Sequence, residues 1–232
     1  MRRAHANWLF VTSMSAAALL MAHPSLTGGT DLIDELTDLF GVLVSILGLA
    51  IRIAAREWKI IHGDGRLVDT GIYGVVRHPM YLGSFLAGMG LCVMLGSLPF
   101  AAVYILAFAV VHTLVARGEE RLLMETWPED FATFRSSVPA WAPSPAPLLT
   151  ALIGKPGARP LSLRAIKRET SAVCGVLIAA LLIESLEYLH VQGWTTQRHE
   201  ILAFLSIAFA LFGVWMLHAV RRKLCIRPQS QG

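Results

Sequence analysis

The stretch GIYGVVRHPMYLGSF, Gly71 to Phe85, places an arginine and a histidine directly before a proline, at the start of a long apolar run. Proline suits the first position of a helix, because the amide hydrogen that it lacks would have no acceptor there. The stretch therefore predicts that a helix begins at Pro79, just after His78. On a purely structural interpretation, Arg77 is an interfacial cation and Tyr81 an interfacial aromatic residue.

The chain as a whole is apolar. Of its 232 residues, 55% are hydrophobic and only 16% are charged, a smaller charged fraction than the roughly 25% of soluble domains. A helix of about 20 apolar residues spans a bilayer core. We therefore predict an all-α, polytopic transmembrane helical bundle of about six spans. The apolar runs are Trp8–Ala22, Leu32–Ala55, Met80–Leu98, Phe100–Ala116, Ala172–Leu189 and Ile201–Val220.

The first apolar run is short, and Arg2 and Arg3 precede it, as in a signal peptide. However, Leu20-Met21-Ala22 is a poor cleavage site, because such sites carry small residues at the first and third positions. We therefore predict an uncleaved first helix.

Arginine and lysine collect in alternate segments between the apolar runs, namely 2–3, 52–77, 117–168 and 221–227. The intervening segments, 23–31, 96–99 and 190–199, hold only Arg198. The positive-inside rule then predicts both termini in the cytoplasm of a bacterial inner-membrane protein. The same rule places segments 71–79 and 118–147 on the cytoplasmic face, where an active site would lie. The net charge of +4 follows from these flanks, and we predict no nucleic-acid partner.

A second polar cluster, ARGEERLLMETWPEDFATFRSSVPAW, follows the fourth apolar run. If the helix continues past Arg117, then Glu119 and Glu120 point about 100° apart. Both cannot occupy the lipid face, so at least one should meet water, a cation or a ligand. Spacing alone favours a solvated extension in which the carboxylates pair with Arg117 and Arg121.

A proline-rich stretch, WAPSPAPLLTALIGKPGARP at 141–160, cannot continue a helix. It divides the chain into a membrane-embedded core with polar cytoplasmic segments (1–143), a linker (144–160) and a C-terminal transmembrane helical pair (161–232). Glu184 and Glu187 lie within or near the apolar run of that pair. Such carboxylates either face the protein interior or sit near the outer end of the helix.

Metal chemistry is a rival function for a membrane chain with eight histidines. A di-iron oxidoreductase would need clustered histidine pairs, but the histidines are scattered, and we predict no metal site. The three cysteines are far apart, and we interpret them as small hydrophobic residues.

The two polar clusters together resemble the isoprenylcysteine carboxyl methyltransferase family, part of a wider group of integral membrane methyltransferases that includes phospholipid N-methyltransferases. That family carries G-x-Y-x-x-x-R-H-P-x-Y-x-G, then a Glu-Glu pair, then F-G-x-x-Y-x-x-Y-x-x-x-V-P. The resemblance covers about Leu43 to Pro143. The matching residues are Gly71, Tyr73, Arg77, His78, Pro79, Tyr81, Gly83, Glu119 and Glu120.

The chain departs from the family in the last block. Trp127-Pro128 replaces Phe-Gly, and Phe131 and Phe134 replace the two tyrosines, whereas Val138-Pro139 is kept. The lost hydroxyl groups bear on the choice of methyl acceptor.

The resemblance implies an enzyme that uses S-adenosyl-L-methionine, taken from the cytosol, to methylate a lipophilic acceptor that enters from the membrane. The acceptor is an isoprenylcysteine-like carboxylate or a phospholipid amine, and a small thiol is also compatible. The alternative is a non-catalytic membrane carrier or assembly protein that retains the methyltransferase scaffold.

The resemblance also suggests residue roles. Glu119 and Glu120 would bind the ammonium group or the ribose hydroxyls of the cofactor, and His78 and Tyr81 would line its pocket. Arg77 and His78 are the catalytic candidates. Arg77 would hold a carboxylate, of the cofactor or of the acceptor, since a guanidinium suits either. His78 would act as a base only for an amine acceptor, because a carboxylate or thiolate acceptor has no proton to lose.

Overall fold

A computed structural model describes residues 32–63, 65–142, 162–191 and 194–225. These residues are helical with no strand among them, which confirms the predicted all-α class. A short 3-10 helix, Gly71–Gly74, precedes the helix that begins at Pro79. The predicted first helix and the predicted linker at 144–160 lie outside the described residues. The helices are α1 (Leu32–His62), α2 (Pro79–Met94), α3 (Leu98–Thr126), α4 (Pro128–Ser137), α5 (Leu163–Val191) and α6 (Trp194–Cys225).

Four segments of the described residues are long and apolar enough to cross a membrane, namely Leu32–His62, Leu98–Thr126, Leu163–His190 and Trp194–Leu217. The chain is an integral membrane protein on this ground. The described residues therefore contain four candidate spans and the shorter apolar helix α2. The sequence predicts about six spans in the whole chain.

Helix α2 begins at Pro79 with His78 as its N-cap, as the sequence predicts. It ends earlier than predicted. The apolar run continues to Leu98, but α2 has 16 residues, or about 24 Å at 1.5 Å per residue, short of a bilayer core of about 30 Å. The chain turns at Gly96, whose φ is 62°, and Ser97 then caps α3.

Helices α1 and α2 are antiparallel and pack through small residues. A Cβ atom at Gly48 would collide with the main chain of Gly83 and Ala87, and one at Gly90 would collide with Gly41. Small residues allow two membrane helices to approach closely along their backbones. This contact brings the C-terminal half of α1 alongside the N-terminal turn of α2.

Helix α3 is joined to α2 by Tyr104, whose hydroxyl donates to the main-chain oxygens of Ser84 and Phe85 at 3.2 Å each. Tyr104 belongs to a buried cluster with Cys92, Phe100 and Phe108, among others. Cys92 is therefore a buried packing residue, as the sequence predicts, and Cys174 is buried as well.

Helix α5 packs against α1, α2 and α6. Its two carboxylates near the C-terminal end, Glu184 and Glu187, are half-buried. The carboxylate of Glu187 lies within 4.8 Å of those of Asp34 and Asp38 in α1. Glu187 therefore faces a neighbouring helix and also lies near the end of its own helix, so that both alternatives left by the sequence apply to it.

Candidate functional site

The start of α2 and the last turns of α3 meet at one end of the bundle. Helix α3 continues past Arg117 to Thr126, which is the condition under which the sequence predicts that Glu119 and Glu120 diverge. Glu120 pairs with Arg77 and His78 rather than with Arg117 or Arg121, which spacing alone favoured. Glu119 accepts from Tyr81, so the structure brings the two sequence-predicted clusters together.

Glu120 accepts two hydrogen bonds on one carboxylate oxygen. Its Oε1 lies 3.1 Å from Nε of Arg77 and 3.1 Å from Nε2 of His78. All three side chains are largely buried, with 14%, 12% and 6% of the Glu120, Arg77 and His78 side chains exposed. The other oxygen, Oε2, lies 4.0 Å from Nε of Arg135, beyond hydrogen-bond distance. Glu120 can therefore accept a further hydrogen bond from a ligand on Oε2.

Glu119 faces the same part of α2. The hydroxyl of Tyr81 donates to its Oε1, and Nδ1 of His78 lies 4.0 Å from its Oε2. The imidazole of His78 thus has one carboxylate near each ring nitrogen. Two carboxylates, an imidazole and a phenol form one polar group at the end of the bundle.

An aromatic wall lies beside these carboxylates. The ring of Tyr81 stacks on His78, with centroids 5.5 Å apart, and on Trp141 at 6.1 Å. His112 meets Tyr81 edge-on at 5.2 Å. The wall continues into the apolar cluster around Phe108, which stacks on His112 at 3.7 Å. An aromatic wall of this kind offers π faces to a planar or cationic ligand.

The sequence did not predict that His112 and Trp141 belong to this group. A signal for His112 was present, since it lies two helical turns before Glu119 and hence on nearly the same face of α3. Trp141 closes the segment that carries the Val138-Pro139 match, but nothing in its spacing indicated a contact with Tyr81.

Arg77 also holds α4 in place. Its Nη1 donates to the main-chain oxygens of Arg135 and Val138 at 2.8 and 2.7 Å, and its main-chain amide donates to Pro139 O at 2.9 Å. The last carbonyl groups of a helix have no partner within the helix. Arg77 supplies partners where α4 ends and connects them to Glu120.

The two phenylalanines that replace family tyrosines are packing residues in α4. The exposed fractions of Phe131 and Phe134 are 1% and 6%, and both pack with Val138, Leu123 and Met124. Their rings lie in an apolar environment where a hydroxyl group would need its own partner. The replacement is therefore consistent with the local packing of α4.

Tyr73, another matching residue, lies in the 3-10 helix before α2. Burial raises the pKa of its hydroxyl to about 12, with Arg56 lowering it and Glu169 and Tyr81 raising it further. The group stays protonated at physiological pH. Tyr73 is thus a neutral side chain that is close enough to Arg56, Glu169 and Tyr81 to feel their charge.

Comparison with known proteins agrees with the motif. Residues 39–130 match the phospholipid methyltransferase family, and these residues include both clusters as far as Asp130. No solved structure matches the chain.

Two curated relatives are named for metal resistance. The nickel-cobalt-cadmium resistance protein NccN of Alcaligenes xylosoxydans xylosoxydans is 33% identical over 140 residues, which cover 59% of this chain and 62% of that protein. The cobalt-zinc-cadmium resistance protein CzcN of Cupriavidus metallidurans is 35% identical over 140 residues, with the same coverage. The chain thus spans less than two thirds of the length of either relative. The segment 39–130, in which the carboxylate pair meets the start of α2, matches the phospholipid methyltransferases, a family of integral membrane methyltransferases that is related to the isoprenylcysteine carboxyl methyltransferases.

Proposed function

We propose that the protein is an S-adenosyl-L-methionine-dependent methyltransferase that methylates a lipophilic acceptor in the membrane. One observation carries the proposal: the Glu119–Glu120 pair is joined to Arg77, His78 and Tyr81 within a segment of the methyltransferase family. The acceptor is an isoprenylcysteine-like carboxylate or a phospholipid amine. We place the site at the cytoplasmic face of a bacterial inner membrane, and the distribution of basic residues supports the cytoplasmic orientation.

The side chains present fit this cofactor. It has a positive charge and several hydroxyl and amino donors, and it carries an aromatic base. Carboxylates accept hydrogen bonds from ammonium and ribose hydroxyl groups, and Oε2 of Glu120, which lies 4.0 Å from Nε of Arg135, can accept a further one. Aromatic faces attract cations and planar rings, and Tyr81 and Trp141 provide such faces.

When bound, the cofactor supplies an electrophilic methyl group on a sulfonium, which an acceptor attacks in line. The protein contributes orientation and exclusion of water to such a transfer. Glu119 and Glu120 orient the polar part of the cofactor, with His78 and Tyr81 lining the pocket. The buried apolar cluster around Phe108 keeps water from the side that faces the membrane.

Only part of the Arg77 guanidinium is available to a ligand, because two of its nitrogens already donate to the protein. Its Nε and Nη1 donate to Glu120 and to main-chain oxygens at the end of α4. Nη2 is then the group that holds a carboxylate, of the cofactor or of the acceptor. If the acceptor is an amine, His78 takes up the proton that the amine loses. If the acceptor is a carboxylate, His78 only lines the pocket.

The proposal is tested by measuring cofactor binding first and methyl transfer second. We expect protein purified in detergent to bind S-adenosyl-L-methionine and its demethylated product in calorimetry, and to transfer a radiolabelled methyl group into bacterial membranes. Label that is volatile after base treatment identifies an ester, and label that stays in lipid identifies an N-methyl group. A protein that binds neither compound would be the non-catalytic carrier, and the proposal would be wrong.

A second candidate function places the same reaction in metal resistance. The two curated relatives are named as resistance proteins, one for nickel, cobalt and cadmium and the other for cobalt, zinc and cadmium. In a strain that lacks the gene, we expect the wild-type protein to restore growth on these metals and Glu120→Gln to fail. Equal growth with both proteins would show that metal resistance does not depend on the carboxylate of Glu120.

A further inference from the structure

The most buried charged side chain in the described residues lies outside the family segment. Glu169, near the start of α5, is 2% exposed and pairs with two arginines of α1. Its Oε2 accepts from Nε and Nη2 of Arg52 at 3.0 and 2.7 Å. Its Oε1 accepts from Nε of Arg56 at 2.6 Å. One carboxylate of the C-terminal helical pair thus binds two guanidinium groups of α1.

Arg52 extends this contact to α2. While Nε and Nη2 face Glu169, its Nη1 donates to the main-chain oxygen of Met80 at 3.2 Å and to the hydroxyl of Ser84. The Ser84 hydroxyl donates to Met80 O at 2.9 Å. Met80 is the residue before Tyr81, so Arg52 binds the first turn of α2 next to the residue that donates to Glu119.

The packing of α1 on α2 makes room for this contact. A Cβ atom at Gly83 would press against Cγ of Arg52, so only glycine lets the arginine lie along the helix. The side chain of Arg52 is 19% exposed. A long cationic side chain at a membrane interface otherwise extends toward water. Glu169 holds Arg52 against α2 instead.

We propose that Glu169 is a positioning residue for the cofactor site. It fixes the guanidinium of Arg52, which in turn fixes the turn of α2 that presents His78 and Tyr81 to Glu119 and Glu120. This inference rests on the proposed function, and it assigns the C-terminal helical pair a role in that reaction. A planar guanidinium bound along its Nε–Nη2 edge keeps Nη1 directed at α2, and this geometry needs a charged carboxylate.

The test compares two identical changes in the same helix. Glu169→Gln removes the charge beside Arg52, whereas Glu187→Gln makes the same change far along α5. For Glu169→Gln we expect the Kd of the demethylated cofactor in calorimetry, and the KM of S-adenosyl-L-methionine, to rise roughly ten- to a hundredfold, as for a small displacement of binding groups. The KM of the acceptor should stay within about twofold, because the role proposed for Glu169 concerns the cofactor site alone. Glu187→Gln should leave all three constants unchanged.

A second variant separates positioning from folding. Arg52→Lys keeps a positive charge for Glu169, but a single ammonium cannot bind Glu169 and the first turn of α2 in the same directions. We expect its Tm to remain near that of the wild type while its affinity for the demethylated cofactor falls as in Glu169→Gln. The double variant should bind no more weakly than the weaker single variant, because both changes break one network.

The outcomes distinguish this inference from the proposed function. Wild-type protein that binds no cofactor would overturn both. Wild-type protein that binds it, with Glu169→Gln indistinguishable from Glu187→Gln, would overturn the positioning role alone. If Glu169→Gln does not fold, unchanged cofactor affinity in Arg52→Lys would overturn it.

Discussion

Helices α1 and α5 lie side by side, and their two ends carry opposite electrostatic arrangements. At the site end, Glu169 of α5 pairs with Arg52 and Arg56 of α1. At the other end, called here the acidic end, Asp34 and Asp38 of α1 lie within 4.8 Å of Glu187 of α5. One end places a carboxylate between cations, and the other places carboxylates beside one another.

The difference shows where charge specifies geometry in this molecule. A buried carboxylate between two guanidinium groups has few orientations, because each oxygen is fixed by hydrogen bonds. Neighbouring carboxylates repel one another when ionised, so their mutual contact fixes orientation less strictly than a carboxylate–guanidinium pair does. The precise contacts are therefore at the end where the candidate site lies.

The largest effect is expected at the carboxylate that joins α3 to α2. Glu120→Gln should lower kcat/KM for methyl transfer about 100-fold or more, because the amide would turn an N–H group toward the cofactor ammonium in place of Oε2. Glu125→Gln, at an exposed position of the same helix, is the matched control and should have normal kinetics. If Glu120→Gln were about as active as Glu125→Gln, the cofactor site would not lie at this end of the bundle.

The second-largest effect is expected for Glu169→Gln, and it tests whether the site end and the acidic end differ. Glu169→Gln should lower the free energy of unfolding by about 3 kcal/mol, because two buried guanidinium groups lose their counter-charge. For a chain of this size that corresponds to a fall of roughly 6–12 °C in Tm. Thermal unfolding in detergent measures the change, with Glu187→Gln as the control from the acidic end. Equal losses for both variants would mean that the two ends do not differ.

A substitution at Gly48, between the two ends of α1, should have a smaller effect on stability. In Gly48→Ala, the new methyl group meets the main chain of Gly83 and Ala87, and the helices must separate at a cost of about 1–3 kcal/mol. Gly175→Ala is the control, because a Cβ there meets nothing within 4 Å among the described residues. Denaturant titration should show a loss for Gly48→Ala only. Unchanged stability would show that the α1–α2 contact tolerates looser packing.

The smallest effect belongs to the acidic end. Asp34 and Asp38 are four residues apart on one helix, a spacing at which like charges cost about 0.2–0.5 kcal/mol. Asp38→Asn should therefore raise stability by about that amount and leave methyl transfer unchanged. Differential scanning fluorimetry and the radiolabel assay measure the two effects. Lower stability would contradict the repulsion assigned to this end.

The predictable features depend on residues that are near in sequence or share a motif. Pro79 indicates the start of α2 by its own chemistry, and the turn between α2 and α3 has a visible signal in Gly96-Ser97, although hydropathy alone extends the run past it. The meeting of Glu120 with Arg77 was indicated by the family motif and by the distribution of positive charge.

The contact between Arg52 and Glu169 could not be predicted, because 117 residues separate the two. Sequence analysis treats Arg52 as one of several cations on a membrane flank. Its partner depends on how α5 crosses α1, and that crossing is set by packing rather than by a local pattern. The same reason explains why Trp141 was missed, since its contact with Tyr81 depends on where α4 ends.

The way Arg77 holds α4 has an evolutionary consequence. It binds main-chain oxygens of Arg135 and Val138, and a main-chain carbonyl is the same whichever side chain its residue carries. The exposed residues of α4, such as Glu129 and Thr133, are therefore free to diverge without detaching the helix from Glu120. The exposed face of α4 can therefore diverge among descendants of one ancestor, and a randomised library can explore it, while the contact with Glu120 stays constant.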